Sequence, residues 1–121
     1  MRAVVAASAG GPEVLAAGDW AEPDSAAGHV LVRVGYAGVN FADVLMRAGE
    51  SGASFPFVPG VEGAGRIVAV GDGVTTFAPG DRVAWAPVAQ ASSVGSYAAL
   101  AAVPEAQLLP VARGRCGARC R

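Results

Sequence analysis

The segment GVNFADVLMRAG, residues 38–49, places an amide and a carboxylate three residues apart in a mostly apolar stretch: Asn40 and Asp43. An amide N–H group can stabilise an oxygen that gains negative charge during a reaction, and a carboxylate can orient its neighbours. The same residues can also begin a helix, with Asn40 as N-cap, Asp43 in the first turn and Gly49 as the stop. The segment therefore predicts a short helix, and both a capping and a chemical role stay open for its two polar residues.

Short strands are predicted around this helix. The 17 glycines and 8 prolines of the 121-residue chain divide it into short elements. In GHVLVRVGYAGV, residues Val30, Val32 and Val34 alternate with Leu31 and Arg33, which is typical of a half-buried strand. Further strands are expected in MRAVVAAS, EVLAAGDW, VEGAGRIVAVGDGV, FAPGDRVAW, VGSYAALAAV and AQLLPV. The pattern predicts a mainly β domain, a partly open barrel with one or two short helices.

Composition excludes some classes of protein. Although 53% of the residues are hydrophobic, no uninterrupted apolar run reaches the roughly 18 residues of a membrane span. We therefore expect a cytoplasmic protein without a membrane partner.

Charge is divided unevenly along the chain. Residues 1–112 hold five arginines and all ten acidic residues, a charge of −5, whereas residues 113–121 hold four arginines and no acid, a charge of +4. Residues 112–121 form an atypical Arg/Cys-rich tail that we expect to be disordered. A basic arm can bind anionic partners, so a basic-tailed anion-binding protein is one hypothesis. The tail has no interleaved aromatic residue, and we expect no nucleic-acid partner.

Three segments carry a family resemblance. AGVNFADVLMRAG, PFVPGVEGAGRIVAVGDGV and FAPGDRVAW follow one another in this order. Together they resemble the N-terminal GroES-like domain of the medium-chain dehydrogenase/reductase superfamily, in its quinone oxidoreductase (zeta-crystallin-like) branch. The resemblance covers residues 1–111 and implies that they form a GroES-like catalytic domain.

The metal ligands of the zinc-dependent members are missing. Those enzymes hold catalytic zinc with a cysteine in the first segment and a histidine in the second, where this chain has Asn40 and Val61. Ala42 takes the place of their proton-relaying hydroxyl, and the four-cysteine lobe of a structural zinc is absent. Thiolate and imidazole are the usual zinc ligands, whereas valine cannot bind the metal. The resemblance therefore implies a zinc-independent enzyme with no metal.

The implied activity is hydride transfer from NADPH to a quinone or an enone. Asn40 is then the expected catalytic residue, and Phe41, Asp43, Leu45 and Glu62 are expected in the substrate and cofactor cleft. Leu45 stands where related reductases often carry a tyrosine, which leaves a cofactor contact by that hydroxyl in doubt.

Structural explanations remain open for two of these residues. Phe41 could equally be a buried core residue. Glu62 could equally pair with Arg66 or Arg47.

A cofactor domain is not predicted in this chain. VGDGVTTFAPGDR has turn residues and a proline where the helix of a dinucleotide fingerprint should begin. We therefore expect a Rossmann domain to be absent, the chain to be incomplete and inactive or nearly so alone, and its Arg/Cys-rich tail to be a shifted-frame ending. The alternative is a stand-alone GroES-like binding or assembly module, possible as a homodimer.

Overall fold

The computed structural model describes residues 1–86 and 95–112. This part of the chain forms seven strands, one α-helix and two 3₁₀ turns. In chain order the elements are β1 (Arg2–Ala6), a 3₁₀ turn (Pro12–Val14), β2 (Leu15–Asp19), β3 (His29–Ala37), α1 (Phe41–Ala48), β4 (Gly63–Val70), β5 (Arg82–Trp85), β6 (Leu100–Pro104), a second 3₁₀ turn (Glu105–Gln107) and β7 (Leu108–Pro110).

The strands form two antiparallel sheets. β1 pairs with β2, and the other five strands form a sheet of order β6–β3–β4–β5–β7. The edge strands β6 and β7 do not pair with each other within the described residues, so the barrel stays partly open. Because all of these strand pairs are antiparallel, this part of the chain contains no Rossmann-type parallel sheet. The predicted fold class, a mainly β, partly open barrel with a short helix, is confirmed for the described residues.

The core lies on one face of the five-stranded sheet. The alternation predicted for β3 is present, since Val30 and Val32 are fully buried and Arg33 is exposed. Eight residues from all five strands form the buried cluster: Val30, Val32, Ile67, Val83, Trp85, Ala101, Val103 and Leu108.

β3 and β4 approach each other closely at a glycine. A Cβ atom on Gly65 would overlap the carbonyl oxygen of Arg33, so only glycine fits there. The pairing shifts register between Leu31 and Val32 and again between Val34 and Tyr36. The second of these irregularities lies beside Gly65, whose partner is Val34.

The strand predicted over residues 94–103 begins later than expected, at Leu100. Residues 95–97 bond instead to the segment before β4: Gly95 N–H donates to the Val58 oxygen at 2.8 Å and Tyr97 N–H to the Pro59 oxygen at 3.0 Å. Tertiary contacts therefore take this stretch out of the sheet, against its local preference.

None of the helices in the described part is long and apolar enough to cross a membrane. Disorder was predicted for the Arg/Cys-rich tail, residues 112–121, and all of these except residue 112 lie outside the described residues.

Candidate functional site

Asn40 caps α1. Its backbone is extended (φ −114°, ψ 152°), and its Oδ1 accepts the Ala42 N–H at 3.2 Å. Its own N–H donates to Asp43 Oδ2 at 2.9 Å, which completes a capping box. The helix ends at Gly49 with φ +85°, a conformation that favours glycine. The predicted helix and the capping role of both polar residues are confirmed.

Asp43 also joins segments that are distant in sequence. Its side chain is 4% exposed, and Oδ1 accepts the Gly60 N–H at 2.9 Å. The Tyr97 hydroxyl lies 3.5 Å from Oδ2, at the outer limit for a hydrogen bond. A buried carboxylate needs such donors to offset its desolvation. Asp43 therefore ties the start of α1 to the segment before β4 and brings Tyr97 to the same place.

Tyr97 is a member of this site that sequence reasoning missed. The pKa of its phenol is raised above the ordinary value, chiefly because burial disfavours the phenolate, then because of the Asp43 carboxylate and its hydrogen bond, and finally because of Glu62. The available signal was that a buried tyrosine hydroxyl usually finds a partner. No local sequence pattern indicates which residue is that partner, because Asp43 lies 54 residues away.

Stability at alkaline pH should depend on Tyr97. Because the folded state raises its pKa, the protonated phenol contributes stability that is fully present below the ordinary pKa of 10.0 and is lost as pH rises through the folded-state pKa. Tyr97→Phe should remove this component. Urea unfolding from about pH 8 to about pH 11 measures it. An identical alkaline loss in both proteins would contradict the assignment.

A cavity of about 160 Å³ opens beside this site. Asp43 and Tyr97 contribute to its lining together with Leu15, Val39, Val44, Arg47 and Pro59. The volume is close to the ~150 Å³ of an apolar cavity that binds benzene. It suits a single ring, and a dinucleotide is far larger.

Phe41 and Leu45 lie on α1 without lining this cavity. Phe41 is 71% exposed, so the alternative of a buried core phenylalanine was wrong. Tyr36 and Val39 are also highly exposed, and an apolar surface thus flanks Asn40 on both sides in sequence. Leu45 is half-buried. A cleft role for Phe41 and Leu45 stays a prediction.

Glu62 lies against the loop that leads to Asn40. A Cβ atom on Gly38 would overlap the Glu62 carboxylate, and the Glu62 carbonyl oxygen accepts the Ser96 Oγ hydrogen at 2.6 Å. The two arginines considered as ion-pair partners of Glu62 form other hydrogen bonds among the described residues. Arg47 Nε donates to the Gly10 oxygen, and Arg66 Nη1 donates to the Gly80 oxygen. The structure therefore brings Glu62 to the neighbourhood of Asn40, Asp43 and Tyr97.

The residues at the two aligned zinc-ligand positions provide no metal site. Val61 is buried and apolar, and Asn40 Oδ1 accepts a backbone N–H. Among residues 1–86 and 95–112, no group of three or more His, Cys, Asp or Glu is placed to hold a metal ion.

Comparison with known proteins identifies the architecture. Residues 26–113 match the model of the alcohol dehydrogenase GroES-like domain. A quinone oxidoreductase of Pseudomonas aeruginosa is 38% identical over 109 residues, which are 89% of this chain and 32% of the relative.

Two solved structures agree with this assignment. A quinone oxidoreductase of Pseudomonas syringae pv. tomato superposes with a TM-score of 0.85 at 37% identity, over 93% of this chain and 34% of that one. The Escherichia coli quinone oxidoreductase complexed with NADPH gives 0.84 at 30% identity, over 93% and 33%.

The chain spans about a third of the length of these relatives. It belongs to the alcohol dehydrogenase GroES-like family, and the longer proteins to which it is similar include quinone oxidoreductases.

Proposed function

We propose that this chain is the N-terminal catalytic-domain part of a zinc-independent, cytoplasmic NADPH:quinone oxidoreductase that passes a hydride to a quinone or an enone. The observation that carries the proposal is the orientation of the Asn40 amide. Because Oδ1 accepts the Ala42 N–H, Nδ2 is the end of the amide that can donate outward. The helix cap thus presents an N–H donor at the position where zinc enzymes of the superfamily carry a cysteine.

Asn40 has the chemistry that a carbonyl reduction requires from the protein. Bound NADPH would supply the hydride, and the acceptor oxygen would gain negative charge. A fixed N–H donor stabilises such an oxygen, because it needs little reorganisation when the charge develops. The exposed apolar side chains of Val39 and Phe41 could lie against the nicotinamide or quinone ring.

Asp43, Glu62 and Leu45 have supporting roles in this proposal. Asp43 holds the backbone of Asn40 and Gly60 and does not itself touch substrate. We expect Glu62 and Leu45 to lie in the same cleft. Because the described strands pair only in antiparallel fashion and offer no parallel sheet on which a dinucleotide could bind, we expect the isolated 121-residue chain to be inactive or nearly so.

The first test concerns the gene. Its transcript should be sequenced past the Val111 codon and translated in all three frames. A glycine-rich strand–turn–helix fingerprint in one frame would support the proposal, and the encoded longer protein should oxidise NADPH with p-benzoquinone. A clean stop without such a fingerprint would contradict it and would favour a stand-alone binding or assembly module.

Two variants of the longer protein test the role of Asn40. Aspartate retains a capping oxygen and alanine does not, and neither carries a side-chain N–H donor. We expect both to lower kcat by about 100-fold, the usual effect of losing one oxyanion donor. Only Asn40→Ala should also lose about 1 kcal/mol of stability. Full activity in Asn40→Asp would show that Asn40 acts only as a cap.

A further inference from the structure

Three arginines lie side by side across the five-stranded sheet. Arg33 of β3 is paired directly with Arg66 of β4, and Arg66 is paired with Arg82 of β5. Residues directly opposite in antiparallel strands point to the same face, with Cβ atoms about 5 Å apart. All three side chains are exposed, on the face opposite the core. We call this set the arginine row.

The arginine row carries concentrated positive charge. Like charges directly opposite one another on a sheet destabilise it. All ten acidic residues of the chain lie in the described part. The hydrogen bond that a guanidinium of the row makes there is to a carbonyl group: Arg66 Nη1 donates to the Gly80 oxygen at 2.8 Å. The nearby Asp81 carboxylate accepts the Ala78 N–H. The described residues thus show no hydrogen-bonded carboxylate that would balance the row.

A groove of about 310 Å³ runs along the arginine row. Its lining includes the three arginines together with two small residues, Gly35 and Ala64. Tyr36 lines the same groove and is 80% exposed. The site therefore combines three cations, a concave surface and one accessible aromatic ring.

We propose that this groove binds a small organic phosphate with at least two phosphate groups. Guanidinium groups bind phosphate oxygens in pairs, with short charge-assisted hydrogen bonds. Three of them in line can span a pyrophosphate, whereas a single carboxylate ligand would leave part of the row unpaired. Tyr36 offers a face on which a flat ring attached to the phosphates can stack. This inference does not rest on the proposed reductase activity.

Binding can be measured with the full 121-residue chain by calorimetry at low salt, with inorganic pyrophosphate as the probe. Arg66→Gln removes the central cation and should weaken binding about tenfold. Arg2→Gln is the matched control, because it removes the same charge from an exposed position on β1, in the other sheet. We expect its affinity to stay within about twofold of the parent.

Further measurements test whether the tail arginines or a ring attached to the phosphates contribute to binding. Glutamine at all four tail arginines, residues 113, 115, 119 and 121, should leave pyrophosphate affinity unchanged. ADP that binds more tightly than pyrophosphate, with the gain lost in Tyr36→Ala, would support stacking of an attached ring. Equal affinities would support recognition of the phosphates alone.

Three results would overturn the proposal. The first is the absence of pyrophosphate binding, and the second is an equal loss in Arg66→Gln and Arg2→Gln, which would indicate unspecific charge. The third is tighter, Arg66-dependent binding of a single-stranded oligonucleotide, which would reassign the row to nucleic acid.

Discussion

Asp43→Ala is expected to lower the free energy of unfolding by about 3 kcal/mol, because it removes a buried acceptor on which distant segments depend. The Gly60 N–H, which donates to Oδ1 at 2.9 Å, would be left buried without its partner. The Asn40 N–H would lose its capping-box acceptor at the same time. Asp43→Asn retains one oxygen but turns an NH₂ group toward one of the donors, so an intermediate loss of about 2 kcal/mol is expected.

Urea unfolding followed by tryptophan fluorescence measures this loss, and Asp81→Ala is its control. Asp81 also accepts a backbone N–H, from Ala78 at 3.0 Å, but it is exposed. Water can replace its hydrogen bond, so we expect a loss of about 1 kcal/mol or less. If Asp43→Ala cost no more than Asp81→Ala, burial of the Asp43 carboxylate would not matter as we infer.

Gly60→Ala is expected to be at least as destabilising, by about 3 to 4 kcal/mol. Gly60 has φ +110°, a conformation that side chains disfavour, and its surroundings are full. An added Cβ would lie 2.6 Å from the Ser96 nitrogen and 2.8 Å from Tyr97 Cδ1, and closer still to Ser96 Oγ. The methyl group would therefore push the segment with Tyr97 away from Asp43.

Gly73→Ala separates the two contributions to this loss. Gly73 also has a positive φ, +80°, but no atom lies within 4 Å of its added Cβ. Only the backbone penalty of about 1 to 2 kcal/mol should appear. The difference between the two variants, measured by urea unfolding, then reports the packing around Gly60. Equal losses would show that residues 95–97 move aside without cost.

Local rules account for the parts of the fold that were predicted correctly. The cap at Asn40, the stop at Gly49 and the alternation in β3 each depend on residues within a few positions of one another. The open barrel followed from short strands separated by glycine and proline turns, and the family followed from three ordered segments. Such features have a sequence signature, because neighbouring residues carry them.

The rest of the site depends on tertiary contacts. Asp43 meets Gly60 and Tyr97 across 17 and 54 residues, and no periodicity indicates these distances. The arginine row depends on strand register, and a slip of one residue would turn an arginine to the other face. The irregularity between Leu31 and Val32 helps to set that register, because Leu31 pairs with Ala69 whereas Val32 pairs with Ile67.

The capping box has a consequence for the side chains that position 40 can carry. Asp43 accepts the backbone N–H of residue 40, a bond that does not depend on which side chain that residue carries. The helix start is thus held partly from position 43, and position 40 is released to vary. A change of side chain at position 40 would therefore leave this part of the helix start in place.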